Sequence, residues 1–359
     1  MARYQRSLWW AFHQFINHLL QDLAYQYDAG CCLPQRIIFC LTLRCNIRCK
    51  QCGIWRTPNK KEITTEEWKK VIMELKHWLG SYRVQIAGGE IFLRDDIVEL
   101  VKFASGNGVL MGIVSNGTMI HERMAEELVA AGLNYLDISI DAMNPDLHDY
   151  IRGVKGVYEK ASRAIHYVKN FRDKAKSDLS IGLATVIMGP NMDELVDIVN
   201  WVQEEGLNCI NLNPLGPACD SDPQWYSHSE LWPKPKDLPK LDSILDQLIE
   251  MKKGGAAILN SEDQLLAMKT YFRNPSIVMG NHCMVGVTNF LLSCEGEIHA
   301  CFHMPPIGNL EQSFKTVWKS ETAKSVRQKI KSCHYECSPG NASYRRSVIK
   351  EIERYLQFK

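Results

Sequence analysis

From residue 36 to about residue 214 the chain alternates short apolar runs with longer segments whose apolar positions recur at helical spacing. The runs are RIIFCLTL from Arg36, RVQIA from Arg83, VLMGIVS from Val109, YLDISI from Tyr135, SIGLATVIM from Ser180 and CINLNP from Cys209. Their near-continuous apolar character predicts strands buried on both faces, as in a parallel sheet. Between the first two, ITTEEWKKVIMELKHWLG reads as a helix, with Thr64 and Glu67 at capping-box spacing and Gly80 as its stop. Residues 100–105, 122–132, 158–171 and 192–206 read as further helices. Six strand–helix repeats predict an α/β fold, a parallel barrel or a partial (β/α)6 barrel, with functional groups on the loops after the strands.

A Pro-rich stretch, LWPKPKDLP from Leu231, interrupts the alternation, and helices over 241–253 and 262–272 are expected after it. Beyond about residue 280, Cys, His and Gly become dense and only short strands fit. Such a segment is too small to bury a core alone and leans on a metal centre or a larger domain. The expected division is an N-terminal helical arm (1–35), the barrel (36–230), linker helices (231–275), a Cys-rich domain (276–345) and a C-terminal helix (346–359). In the arm, Arg3 and Arg6 precede SLWWAFHQFINHLL, whose apolar run is broken by His13, Gln14, Asn17 and His18. A helix packed on the domain is expected there. Contact of Trp9, Trp10, Phe12 and Phe15 with a bilayer surface is the minor alternative. No uninterrupted apolar run of about eighteen residues occurs, so no membrane-spanning helix is expected and a cytoplasmic location is.

Composition narrows the function classes. Of 359 residues, 45% are hydrophobic, which excludes wholesale disorder. A formal net charge of +1 argues against a bulk nucleic-acid or anionic-membrane binder, since both need a basic excess. Thirteen cysteines without a secretory signal point to metal ligands and buried thiols rather than disulfides. Cys45, Cys49 and Cys52 stand as CNIRCKQC in the loop directly after the first strand. Three thiolates are one short of a closed four-ligand site. On a cubane iron–sulfur cluster that leaves one iron open to a small molecule.

With these residues at this place, the chain resembles the radical S-adenosylmethionine (SAM) superfamily, whose signature is CxxxCxxC after the first barrel strand. The resemblance implies a [4Fe-4S] cluster on Cys45, Cys49 and Cys52, with SAM chelating the fourth iron. Reduction then cleaves SAM to methionine and a 5′-deoxyadenosyl radical that takes a hydrogen atom from substrate. Gly88, Gly89 and Glu90 follow the second strand as AGGE, which in this family lies along the methionine moiety. Glycines allow close backbone approach and a carboxylate suits an ammonium group. Ser115 and Asn116, followed by Gly117, end the third strand as the family's SNG does. Ser139 and Asp141 end the fourth, followed by HDYIRG. By resemblance Ser139 contacts the SAM ribose and Arg152 the SAM carboxylate. Leu212, Asn213 and Pro214 close the sixth strand, where adenine packs in the family.

A second group of cysteines lies late in the chain. Cys283 is followed by twelve residues, Gly296, four residues and Cys301, and Cys333 and Cys337 come later as CHYEC. This stretch resembles the SPASM and twitch domains of radical SAM enzymes, as do IGNL from Ile307 and the later Trp318. Four thiols make a closed set for one cluster, so the shorter twitch type with one auxiliary [4Fe-4S] cluster is expected. Cys294 is an alternative fourth ligand, and structural zinc an alternative metal. Cys31, Cys32, Cys40, Cys209 and Cys219 need no metal, and Cys40 and Cys209 read as small buried hydrophobes. Glu295, His299, His303 and Asp220 are acid–base candidates, none with a visible pairing, so no catalytic residue is assigned.

The expected function is hydrogen-atom abstraction from a small-molecule or peptide substrate, giving an oxidised or rearranged product. The auxiliary cluster accepts an electron or shapes the pocket, and a flavodoxin or ferredoxin supplies the reductant. Peptide modifiers of this family often carry a sizeable N-terminal recognition domain, whereas some thirty-five residues precede the first strand here. That favours a small molecule, or a peptide delivered by a separate protein. A glycyl-radical activase is disfavoured by the short gap from Cys52 to Thr64. A non-enzymatic iron–sulfur or zinc scaffold would have no use for GGE and SNG at strand ends.

Overall fold

The computed structural model describes residues 8–28, 30–218, 224–275, 283–333 and 337, with residues 8–15 as helical backbone. The C-terminal helix expected over 346–359, and Cys219 and Asp220, lie outside the described residues. A helix α1 (Leu8–Tyr27) precedes the barrel repeats β1 (Arg36–Cys40), α2 (Thr65–Leu79), β2 (Arg83–Ala87), α3 (Ile97–Gly106), β3 (Leu110–Ser115), α4 (Glu122–Ala130) and β4 (Tyr135–Ser139). Two helices follow β4, α5 (Pro145–Arg152) and α6 (Val157–Ala175), then β5 (Ser180–Ile187), α7 (Leu195–Glu204) and β6 (Cys209–Pro214). Helix α5 has no counterpart among the expected elements. It is eight residues long, starts on an Asn144 side chain that accepts from the N–H groups of Asp146 and Leu147, has Pro145 in its first turn, and stops at left-handed Gly153.

The strands β1 to β6 are parallel neighbours in chain order, and β1 and β6 do not pair, which leaves an open barrel. One strand face is fully buried: Ile37, Phe39, Val84, Ile86, Leu136, Ile138, Leu183 and Leu212 are at most 2% exposed. Helices cover this face, as where Trp68 of α2 meets Phe39 with ring centroids 5.0 Å apart. The alternate positions, including Gln85, Val114, Tyr135, Asp137, Ala184 and Asn211, are half-buried. The expectation of strands buried on both faces is therefore corrected. The sheet does not close, so side chains do not fill its inner face, and that face stays partly polar and accessible.

Helix α2 starts on the expected capping box. Glu67 N–H donates to Thr64 Oγ1 at 3.2 Å, and Thr64 N–H donates to Glu67 Oε2 at 2.7 Å. After β6 come α8 (Trp225–His228), α9 (Leu238–Lys253) and α10 (Glu262–Arg273). The segment between α9 and α10 covers the β6 edge. Ile210 N–H donates to Ala257 O and Leu259 N–H to Ile210 O, both at 2.9 Å. Asn260 exchanges two further bonds with the Leu212 backbone. An edge so covered offers no free ladder to another chain.

The Cys-rich segment comprises α11 (Val285–Thr288), β7 (Asn289–Leu292), β8 (Glu297–His299), β9 (Gly308–Asn309), α12 (Phe314–Trp318) and α13 (Glu321–Lys331). It leans on the barrel in a specific way. Strand β7 pairs in parallel with the free edge of β1, from Arg36↔Asn289 to Phe39↔Leu292, and β8 and β9 extend the same nine-stranded sheet. Its core is shared, since Phe290 and Trp318 are fully buried and Trp78 of α2 packs against both. Arg94 joins the end of β2 to the loop before α2, with Nη1 3.0 Å from Glu62 Oε2 and Nη2 2.6 Å from Asp96 Oδ2. Among the described residues, no helix is long and apolar enough to cross a membrane.

On the inner face Asp137 lies over Gly182, where a Cβ would come within 2.6 Å of its carboxylate. Burial pushes the Asp137 carboxyl up to about 6 against the pull of Arg83. The folded state thus keeps a proton that the unfolded chain has already lost, and the contribution of Asp137 to stability falls as pH rises from about 4 to about 6. Urea titrations should show this loss, up to ~3 kcal/mol, as the difference between the wild type and Asp137→Asn across that range. Asp137→Asn should remove that part of the slope, and equal slopes in both proteins would contradict the assignment.

Candidate functional site

The loop after β1 carries Cys45, Cys49 and Cys52, and its backbone is held by groups outside it. Arg48 N–H donates to Arg152 O at 3.2 Å and Lys50 N–H to Ile151 O at 2.9 Å, both at the C-terminal end of α5. Gly153, at φ +72°, lets the two backbones meet, because a Cβ there would lie 2.2 Å from Arg48 O. Trp55 Nε1 donates to Cys49 O at 3.1 Å, and Cys52 N–H closes a turn onto Cys49 O at 3.3 Å. Cys49 is 7% exposed and clusters with Ile47 and Val157, with Cys45 and Cys52 packed against them. Burial raises the Cys45 and Cys49 thiols, and the Arg152 guanidinium opposes that rise at Cys49.

The GGE segment approaches the same loop. Gly89 N–H donates to Thr42 O at 2.9 Å and Glu90 N–H to Arg44 O at 2.8 Å. A Cβ on Gly89 would sit 2.0 Å from Arg44 O, and one on Gly88, at φ +130°, 2.5 Å from Thr42 O. Glycine is therefore required at both positions for the strand end to reach the cysteine loop. Glu90 is 1% exposed. Its carboxylate accepts from Ser115 Oγ (2.9 and 3.1 Å), Asn116 N–H (2.9 Å) and Phe92 N–H (3.2 Å). Ser115 and Glu90 thus hold each other. Asn116 reaches on to the cysteine loop, with Nδ2 donating to Asn46 Oδ1 at 2.9 Å, and Asn46 Nδ2 donates to Thr118 Oγ1 at 2.8 Å.

Ser139 ends β4 and is 9% exposed. Two residues on, Asp141 is fully buried. It accepts from Gln51 Nε2 at 3.0 Å and pairs with Arg152 at 2.8 Å. Arg152 is not the surface pair that a lone arginine would suggest; it lies 7% exposed behind Cys49. Asn46, Gln51 and Trp55 were not among the candidate residues. The signal for them was their position within and just after the CNIRCKQC run.

The second group also converges. Cys283, Cys301, Cys333 and Cys337 lie within electrostatic range of one another. Burial first, and then the neighbouring thiols, push Cys283 to about 11 and Cys337 to about 12. Cys294 lies apart, 1% exposed, beside Glu295, Glu62 and Lys60. Among the described residues no three His, Cys, Asp or Glu side chains close on a single metal ion. A cubane cluster distributes its thiolates over separate irons, and a set of three or of four thiols suits one. Of the acid–base candidates, Glu295 pairs with Lys60, and His299 lies 3.5 Å from Glu297 and 3.3 Å from Met304 O. Burial lowers His303. Among the described residues no cysteine forms a disulfide; Cys31 is exposed and Cys32 donates to Val287 O at 3.3 Å.

Residues 39–202 match the family model of the radical SAM superfamily, and residues 283–338 match that of SPASM, an iron–sulfur cluster-binding domain. An AdoMet-dependent heme synthase of Methanosarcina barkeri is 26% identical over 308 residues, 80% of this chain and 82% of that protein. A PqqA peptide cyclase of Bradyrhizobium diazoefficiens is 24% identical over 322 residues, 84% of this chain and 79% of that protein. The crystal structure of Streptococcus suis SuiB bound to the precursor peptide SuiA shares the fold, with a TM-score of 0.65 at 15% identity over 87% of this chain and 70% of that one.

Gly153→Ala forces a left-handed alanine at a cost of at least ~1 kcal/mol, before the contact with Arg48 O is counted. The expected outcome is a lower denaturation midpoint together with lower iron uptake on anaerobic reconstitution. Full iron uptake at unchanged stability would show that the loop does not depend on this contact.

Proposed function

From the premise that this chain belongs to the radical SAM superfamily and carries a SPASM-type C-terminal domain, we propose that Cys45, Cys49 and Cys52 hold a [4Fe-4S] cluster with SAM on its fourth iron. When reduced, that cluster supplies a 5′-deoxyadenosyl radical from SAM, which takes a hydrogen atom from the substrate. The observation that carries the assignment is one loop with three thiols, fixed by the same strand ends that bear GGE and SNG. Gly88 and Gly89 let the strand end pack on the cysteine loop, beside the place where the methionine moiety would lie. Glu90 is fully engaged by Ser115, Asn116 and Phe92, so it shapes that backbone from behind. Ser139, on the inner face at the end of β4, is positioned for a ribose hydroxyl. Cys283, Cys301, Cys333 and Cys337 hold one auxiliary [4Fe-4S] cluster.

The substrate is a small molecule or a peptide that enters over the inner face, where Gln85, Asp137 and Asn211 offer polar contacts. The relatives include a heme synthase and a peptide cyclase, so both classes have precedent among similar proteins. The reaction yields an oxidised or rearranged product, with a flavodoxin or ferredoxin as electron donor in a reducing, cytoplasmic setting.

Anaerobic iron and sulfide analysis of the triple variant Cys45→Ala/Cys49→Ala/Cys52→Ala tests both metal assignments. About half of the wild-type iron and sulfide should remain, held by the second group of four thiols. A triple variant that binds zinc and no iron would overturn the auxiliary-cluster assignment. A triple variant with the full wild-type iron content would overturn the first.

A further inference from the structure

Behind the cysteine loop lies a layer of charge closed off from water. Asp141 is 0% exposed and Arg152 7%. Arg152 Nη2 lies 2.8 Å from Asp141 Oδ2, and its Nη1 donates to Cys49 Sγ at 3.9 Å. Asp141 is held in turn by Val186 N–H on Oδ1 at 2.9 Å and by Gln51 Nε2 on Oδ2 at 3.0 Å. Its own N–H donates to His148 Nδ1 at 3.1 Å. The carboxylate therefore cannot turn away from the guanidinium. A guanidinium is not deprotonated in proteins, and Asp141 is its ion-pair partner here. His148, pressed down to about 3 by burial and by Arg152, is neutral beside it. Gln51 Oε1, His148 Nε2 and Arg152 Nε have no hydrogen-bond partner among the described residues.

The resemblance to the family implies Arg152 for the SAM carboxylate. That role would use the bidentate fork of the guanidinium. Here one terminal nitrogen is committed to Asp141 and the other faces Cys49. A fixed charge and an N–H aimed at a ligand sulfur are two of the levers by which a protein sets the potential of an iron–sulfur cluster. Buried this deeply, the charge is screened far less than a surface one.

We propose that Arg152 is a positioning residue, locked by Asp141, whose charge raises the reduction potential of the cluster at Cys45, Cys49 and Cys52 through Cys49. The proposal rests on the cluster assignment made above. Asp141 tempers the effect as well as fixing its direction, so the two residues act on the cluster with opposite sign.

The test is an EPR-monitored redox titration of anaerobically reconstituted full-length protein, with the relevant signal identified by its change on adding SAM. Arg152→Met should lower the ratio of reduced to oxidised cluster at a fixed potential about tenfold, a shift of ~59 mV to more negative potential for a one-electron couple. Asp141→Asn, which unmasks the guanidinium, should shift the midpoint the other way. Arg152→Lys, which restores charge without the fork, should recover most of the wild-type value. SAM binding to Arg152→Met should stay within about twofold of the wild type. If Arg152→Met does not fold, the sign of the Asp141→Asn shift decides alone. Unchanged midpoints, or shifts of the same sign in Arg152→Met and Asp141→Asn, would overturn the proposal. So would an unchanged midpoint with much weaker SAM binding in Arg152→Met, which would return Arg152 to the SAM carboxylate. A wild-type protein that takes up no SAM-responsive cluster would instead overturn the cluster assignment itself, and this proposal with it.

Discussion

The last turn of α5 leaves carbonyl groups without helical partners, and the backbone N–H groups of Arg48 and Lys50 take those of Arg152 and Ile151. A loop with three thiols needs such outside support, because it has no ladder of its own to hold the sulfurs at a fixed spacing. The contact exists only because Gly153 carries no side chain and accepts a left-handed backbone. From this junction the other ties follow. Gln51 reaches Asp141, Asn46 reaches Asn116, and Asn116 reaches Glu90. Three strand ends are thus braced against one loop, and the chemistry assigned to that loop depends on the brace.

The open barrel supplies the rest of the setting. Its helix-covered face is dry and rigid, and its inner face keeps polar groups within reach of a ligand. The late segment gains its support by adding strands to the free edge of β1, so the loop of Cys45, Cys49 and Cys52 after β1 and Cys301 after β8 leave one continuous sheet. Motion between them would require breaking the β1–β7 ladder and the shared packing of Phe290, Trp78 and Trp318.

Much of this was legible in the sequence. The six barrel strands lie within the six apolar runs, and the Thr64 capping box and the stop at Gly80 are where the spacing predicted them. Strand burial was misjudged because residues such as Ala184 and Val186 look apolar whether they face a core or an open cavity. Helix α5 was missed because eight residues are too few for a periodicity, although Asn144-Pro145 and Gly153 mark its two ends. The motifs were recognised but their partners were not. GGE and SNG read as separate ligand contacts, whereas Glu90 binds Ser115 and Asn116 within the protein. Likewise nothing in the local sequence says that Arg152 will meet Asp141 eleven positions earlier and Cys49 across the barrel. Such pairings come from tertiary approach, which spacing along one strand or helix does not encode.

The central claim is that this chain uses a reduced cluster to cleave SAM and abstract a hydrogen atom. The most direct measurement is anaerobic incubation of the reconstituted protein with dithionite, SAM and deuterated candidate substrates, followed by mass analysis of the nucleoside product. The account predicts 5′-deoxyadenosine in amounts that exceed the enzyme, carrying deuterium when the correct substrate is present. Reduced, cluster-loaded protein that binds SAM yet forms no 5′-deoxyadenosine under any of these conditions would contradict it.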